Sequence, residues 1–332
     1  MDAFRSWSIT PLRWVMLTEE GSIFQPLVAV IGPTAVGKTT TALALARTLN
    51  GEIVSADSRL LYRGMDIGTA KPSPQELAAV PHHLIDVTVP DMPWTMARYL
   101  AEAETVIAGI HQRGRLPLLV GGTGQYVTAV LEGWDPPPAG SKQIRARLQA
   151  FVDEHGSEAL HARLSESDPV SAGAIDHRNI RRVIRALEIC ELTGQPASTQ
   201  KKKTPRPYHI LKIGLIRPRE ELYARIDARI DDMLDQGLIA EVKALLKMGY
   251  EPSLPALSAI GYKQIVQALH DEMTMPEAVA SIRKQTRQFV RRQRNWWKPD
   301  DPSIRWFRMT EGVEEEIIDL VREWLSKGHV SA

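Results

Sequence analysis

Leu27-Val28-Ala29-Val30-Ile31-Gly32-Pro33-Thr34-Ala35-Val36-Gly37-Lys38-Thr39 is the stretch from which the fold can be read. Its first five residues are apolar without alternation, which suits a parallel strand buried on both faces. The remaining residues match G-x-x-x-x-G-K-[ST], and a helical pattern runs from Lys38 to about Leu49. Strand, glycine-rich turn and helix in that order are the setting in which this pattern holds phosphate. Glycines let the backbone fold so that its N–H groups converge on an anion, and the helix N-terminus adds partial positive charge. Lys38 supplies a compact cation and Thr39 a hydroxyl suited to Mg²⁺. Gly32, Pro33, Thr34, Ala35, Val36, Gly37, Lys38 and Thr39 are therefore candidate phosphate contacts. The loop specifies a polyphosphate; it names neither ATP nor a reaction.

Outward from the loop, Glu52–Ala56, His83–Val87, Leu116–Val120 and Ile210–Ile216 read as further short strands. Helical patterns such as Thr95–Gln112 separate several of them. The alternation predicts an α/β fold, a P-loop doubly wound parallel sheet core. Near Trp134 the pattern changes. Asp135-Pro136-Pro137-Pro138-Ala139-Gly140 and Lys201–Pro207 are breaker clusters, and the chain from Lys142 to about Thr193 is helical throughout. The expected organisation is a core of 26–134 and 208–332, a mainly helical insertion at 135–207, and an N-terminal extension, 1–25, without periodic pattern. An amphipathic helix is expected from Leu222 to Leu246, stopped by Gly249 and Pro252, and a basic helix from Pro276 to Trp297.

The 332 residues are 43% hydrophobic and 24% charged, with a formal net charge of +1. No global field announces a nucleic acid, so a basic face must be local. Two candidates exist. The insertion carries Arg145, Arg147, Arg178, Arg181, Arg182, Arg185 and Lys201-Lys202-Lys203, and the basic helix carries Arg283, Lys284, Arg287, Arg291, Arg292, Arg294 and Lys298 without an acid among them. A single cysteine, Cys190, excludes an internal disulfide and a cysteine zinc site, and its apolar surroundings suit a small buried hydrophobe. His82 and His83 lack a third metal ligand at suitable spacing and read as structural. With no apolar run of transmembrane length and no secretory signal, a soluble cytoplasmic protein is expected.

Asp57 ends the second strand, at the sheet edge where ligands of open α/β folds bind. It suits a general base, a Mg²⁺ ligand or the cap of the following turn. The strand Leu116–Val120 runs into Gly121-Gly122-Thr123-Gly124, with no carboxylate where P-loop nucleotidases usually carry one. That weakens a simple ATPase reading.

Asp57-Ser58-Arg59-Leu60-Leu61-Tyr62 through Lys71-Pro72 resembles a signature of the bacterial tRNA dimethylallyltransferase family. Gly32–Thr39, Pro81–Asp86, Gly121–Tyr126, Arg185–Glu188, Gly261–Gln264 and Thr286–Trp296 resemble its other blocks, in order, over about residues 27–297. The resemblance implies that the loop holds dimethylallyl diphosphate, with Mg²⁺ near Thr39. It implies that Asp57 deprotonates the exocyclic amine of the adenosine 3′ of the anticodon, and that Arg229, or Arg225 one turn away, clamps the diphosphate. Asp57, Ser58, Arg59, Leu60, Thr123, Arg145, Arg181, Arg182, Val183, Ile184, Arg185, Ala259, Ile260, Gly261, Tyr262, Lys263 and Gln264 match positions that touch the tRNA anticodon stem-loop. A monomer is implied as well.

The chemistry fits these residues independently. Departure of diphosphate needs charge neutralisation, which Lys38, Arg229, Mg²⁺ and loop amides can supply, and the attacking amine must lose a proton, which suits Asp57. A base in an anticodon loop must leave its stack to react. Two rivals share the loop: an ATP-dependent kinase, which needs no basic insertion, and a non-catalytic RNA-binding module, which would not need Asp57.

Overall fold

The structure is a computed structural model describing residues 16–17, 23–92, 94–200 and 203–327. In chain order, β1 is Met16–Leu17, β2 Ile23–Ile31, α1 Lys38–Thr48, β3 Gly51–Ser55, α2 Pro74–Ala79, β4 His82–His83, α3 Met96–Gln112, β5 Leu116–Gly121 and α4 Gly124–Glu132. Helices α5 Lys142–Ser167, α6 Pro169–Ala174 and α7 Ile180–Thr193 follow. The chain closes with β6 Tyr208–Ile216, α8 Arg219–Asp235, α9 Leu238–Lys247, α10 Tyr262–Leu269, α11 Met275–Gln293, β7 Ile304–Arg308 and α12 Val313–Lys327.

The sheet order is β4-β3-β5-β2-β6-β7, with every pairing along it parallel. Strand β2 sits between β5 and β6, and Leu27 to Ile31 are fully buried, as their unbroken apolarity requires. The chain leaves β2 for β3 and returns to insert β5 between them, so the carboxyl ends of β2, β3 and β5 converge on one crevice.

The chain divides into two compact units. One comprises Met1–Trp94, Leu100–Leu131 and Pro207–Ala332 and holds the sheet. The other comprises Thr95–Tyr99 and Glu132–Arg206, and its helices α5 and α7 share a core of Leu148, Leu160, Leu164, Val183 and Leu187. Cys190 packs beside that core half-buried, and burial raises its thiol pKa.

Several expectations shift. Residues 23–25, assigned to the extension, belong to β2, and Met16–Leu17 pairs antiparallel with Ile23 and Phe24; Gln25 and Pro26 hide the strand because proline rarely enters a sheet. The rest of 1–25 lies outside the described residues, as do Lys201 and Lys202. The strand expected at His83–Val87 ends at His83, because Leu84 and Asp86 take positive φ of 60° and 56°. The long helix from Leu222 is two, α8 and α9, parted at Gly237. Strand β7 and helix α12 were not anticipated. Among the described residues, no helix is long and apolar enough to cross a membrane.

Candidate active site

The loop after β2 curls around its own lysine. Lys38 Nζ donates to the Gly32 carbonyl at 3.0 Å and the Pro33 carbonyl at 2.8 Å. Burial lowers its pKa to about 8; the Asp57 charge opposes that shift and Arg229 adds to it. Lys38, Asp57 and Arg229 therefore share one electrostatic neighbourhood, although they come from the loop, the end of β3 and α8. Thr39 is exposed at the start of α1, and Gly37 holds a φ of 122° that a side chain would resist.

Thr34, Ala35, Asp57 and Arg229 line one cleft of about 570 Å³. Its other walls are Ser58 and Arg59, the Gly68–Ala70 turn, Gly122–Gln125, Ser258–Gly261 and the inner faces of α8 and α11. Ile226, Ile230, Met233, Leu238, Ile260, Ile282 and Phe289 make part of the lining apolar. Arg229 lies in this wall with its pKa lowered by burial and by Arg225. Arg225 itself donates through Nε to the Ala35 carbonyl at 3.0 Å, so one arginine braces the loop and the other faces the cleft. Asp57 Oδ1 accepts the Arg59 N–H at 2.9 Å, the turn-capping role open to it from sequence; Oδ2 has no hydrogen-bond partner among the described residues.

Three supports escaped the sequence reading. Glu241 on α9 accepts the N–H groups of Asp66, Ile67 and Gly68 at 2.8, 2.8 and 3.2 Å, and the Tyr262 hydroxyl at 2.5 Å, fixing the turn beside the cleft. Gln293, at the end of α11, accepts the Thr34 N–H at 3.0 Å and donates to the Gly122 carbonyl at 2.9 Å. Arg217 Nε donates to the Val36 carbonyl at 2.9 Å. A lone polar residue on a helix carries no sequence mark of what it will brace.

Trp296, 44% exposed, lies against Gly124, where an added Cβ would meet the indole at 2.0–2.4 Å. Gly124→Ala is therefore expected to destabilise the fold by about 1–3 kcal/mol. In a double-mutant cycle read by urea unfolding, Trp296→Ala should relieve most of that cost; additive effects would show that the indole is not the obstacle.

The profile of the IPP transferase family matches residues 60–300. A tRNA dimethylallyltransferase of Roseiflexus sp. is 48% identical over 301 residues, covering 90% of this chain and 99% of that one. Another, of Chloroflexus aurantiacus, is 50% identical over 291 residues, covering 85% and 98%. The chain belongs to the IPP transferase family. The crystal structure of the tRNA isopentenylpyrophosphate transferase of Bacillus halodurans, 41% identical, matches with a TM-score of 0.68 over 91% of this chain and 97% of that one. A eukaryotic dimethylallyltransferase solved acting on tRNA is 24% identical and, with a TM-score of 0.79 over 92% and 81%, shares the fold.

Within this IPP transferase the positions matched to tRNA contacts separate by exposure. Arg181, Arg182 and Lys263 are exposed, and Asp57–Leu60, Thr123 and Ile260 are half-buried. Val183 and Ile184 face the core of the helical unit, so their side chains are packing residues. Tyr262, Gln264, Gly261 and Ala259 are buried; Tyr262 is committed to Glu241, and Gln264 Oε1 accepts the Gly261 N–H at 2.9 Å. Arg145 and Arg185 both bond the buried Glu188, at 2.8 and 2.5 Å, which absorbs much of their charge. On α11, Arg283 and Arg287 pair with Asp231 and Asp227 of α8, so the acid-free run from Arg283 to Lys298 finds its counter-charges on another helix. His82 and His83 are structural, bonding the Val80 carbonyl at 2.8 Å and Glu52 at 2.6 Å.

Proposed function

We propose that this chain transfers a dimethylallyl group from dimethylallyl diphosphate to the exocyclic amine of the adenosine 3′-adjacent to the anticodon of tRNA, releasing diphosphate. The observation that carries the proposal is that the loop residues Thr34 and Ala35, the half-buried Arg229 and the Asp57 carboxylate line one partly apolar cleft, with the charge of Lys38 coupled to Asp57 and Arg229. The names of its relatives, tRNA dimethylallyltransferases, supply the donor and acceptor classes.

The loop amides, Lys38 and Arg229 take the charge that grows on the departing diphosphate. Asp57 accepts the amine proton through an oxygen not engaged by Arg59. The apolar wall of α8 and α11 holds the prenyl carbons and limits water at C1. The residues fit Mg²⁺ only with Thr39 as a ligand, whose hydroxyl at the start of α1 would hold it; no group of three or more His, Cys, Asp or Glu among the described residues could hold a metal. Bound there, Mg²⁺ would neutralise the leaving group. Arg181 and Arg182, exposed on α7 and without ion-pair partners among the described residues, suit the RNA backbone. The protein is expected to work in the cytoplasm as a monomer.

The test supplies undermodified tRNA, labelled dimethylallyl diphosphate and Mg²⁺, with ATP in a parallel reaction. Label in tRNA, with one five-carbon mass increment on an adenosine, supports the proposal; ATP hydrolysis with unaltered tRNA defeats it in favour of a nucleotidase. For Arg182→Ala we expect weaker tRNA binding and a salt slope shallower by about 1. An unchanged slope removes Arg182 from the RNA face.

A further inference from the structure

Gln293 is 4% exposed and lies between two loops with different work to do. Its Oε1 accepts the Thr34 N–H of the phosphate loop, and its Nε2 donates to the Gly122 carbonyl. The path continues from there. Thr123 N–H donates to the Ala56 carbonyl at 3.2 Å, and Thr123 Oγ1 accepts the Ser58 N–H at 3.1 Å. Ala56 and Ser58 flank Asp57. A continuous chain of bonds thus connects the cradle of the leaving group to the carboxylate.

We propose that Gln293 is a positioning residue that sets the separation between the diphosphate cradle and Asp57, and so decides whether the allylic carbon is captured by the amine or by water. This rests on the prenyl-transfer reading. In transfer, the C1–O bond breaks with its electron pair leaving on diphosphate, the nitrogen lone pair forms C1–N, and the amine proton passes to Asp57. In the leak, a water lone pair forms C1–O instead, the water's proton goes to solvent, and dimethylallyl alcohol and diphosphate result. A small misplacement of the acceptor favours the leak, because the donor can still ionise while the amine is out of line.

The site demands an acceptor toward Thr34 and a donor toward Gly122 in a buried place, which the glutamine amide satisfies at once. Methionine fills the volume and satisfies neither. An ionised glutamate turns an acceptor on the Gly122 carbonyl, whereas a protonated glutamate again presents one acceptor and one donor.

The experiment measures diphosphate released and tRNA prenylated in the same reaction, for the full chain. The wild type should give a ratio near one. For Gln293→Met, transfer should fall by about a hundredfold while diphosphate release falls less, lifting the ratio above one, with tRNA affinity little changed. For Gln293→Glu the ratio should be raised at high pH and return toward one as pH falls and the carboxyl protonates, a reversal that a merely destabilised fold would not show. A ratio of one in both variants, or a pH-independent ratio in Gln293→Glu, overturns the proposal. Should Gln293→Met fail to fold, the Gln293→Glu titration decides alone. A wild type that never prenylates tRNA defeats the functional reading instead, so the two failures are distinguishable.

Discussion

Asp57→Ala should cut prenyl transfer by about 10²- to 10⁴-fold, the range of a positioned general base, while leaving tRNA affinity nearly unchanged. The carboxylate stands in the cleft with one oxygen spent on the Arg59 N–H, so alanine removes both the proposed base and a cap on the turn. Loss of such a cap costs about 1 kcal/mol, too little to unfold a domain of this size. Asp57→Asn separates the two roles, because its side-chain oxygen can still cap the turn but cannot take the proton. We therefore expect Asp57→Asn to be as inactive as Asp57→Ala yet more stable. Filter binding of tRNA beside single-turnover prenylation checks both. Equal losses of binding and turnover would make Asp57 a contact residue.

Lys38→Met should lower kcat/KM for the diphosphate donor by about 10²- to 10³-fold, as expected for removing a charge aimed at a leaving group. The wild type adds a pH signature. Burial brings the Lys38 pKa to about 8, against an ordinary 10.5, and in the proposed reaction the ammonium is the form that would hold diphosphate. Donor kcat/KM should therefore hold below that pH and decline above it. Unfolding driven by Lys38 cannot explain the decline. Its depressed pKa means that the folded state binds fewer protons than the unfolded chain between about 8 and 10.5, so this group's contribution to stability rises with pH there. Lys38→Arg, which stays charged, should flatten the alkaline limb at reduced activity. A limb unchanged in that variant would belong to another group.

Legibility in the sequence tracked the range over which each interaction acts. The phosphate loop was readable because its parts are contiguous: a doubly buried strand needs unbroken apolar residues, and the turn needs glycine at Gly37. Asp57 was readable from its place at a strand end. The basic character of α11 was half a truth, since Asp227 and Asp231, which pair with Arg287 and Arg283, sit about 50–60 residues earlier on another helix. Val183, Ile184 and Tyr262 stand within blocks that resemble RNA-contacting segments, but the packing of α7 and α10 turns them inward.

Sequence alone determined the class of fold and the membership of a family, and it located the glycine-rich loop and the candidate base, because each depends on local periodicity or on a short contiguous pattern. Only the tertiary structure decided that Arg229 faces the cleft while Arg225 braces the loop, and that Glu241 and Gln293 hold its walls. Those assignments depend on hydrogen bonds between residues 171–259 positions apart, which no local pattern encodes.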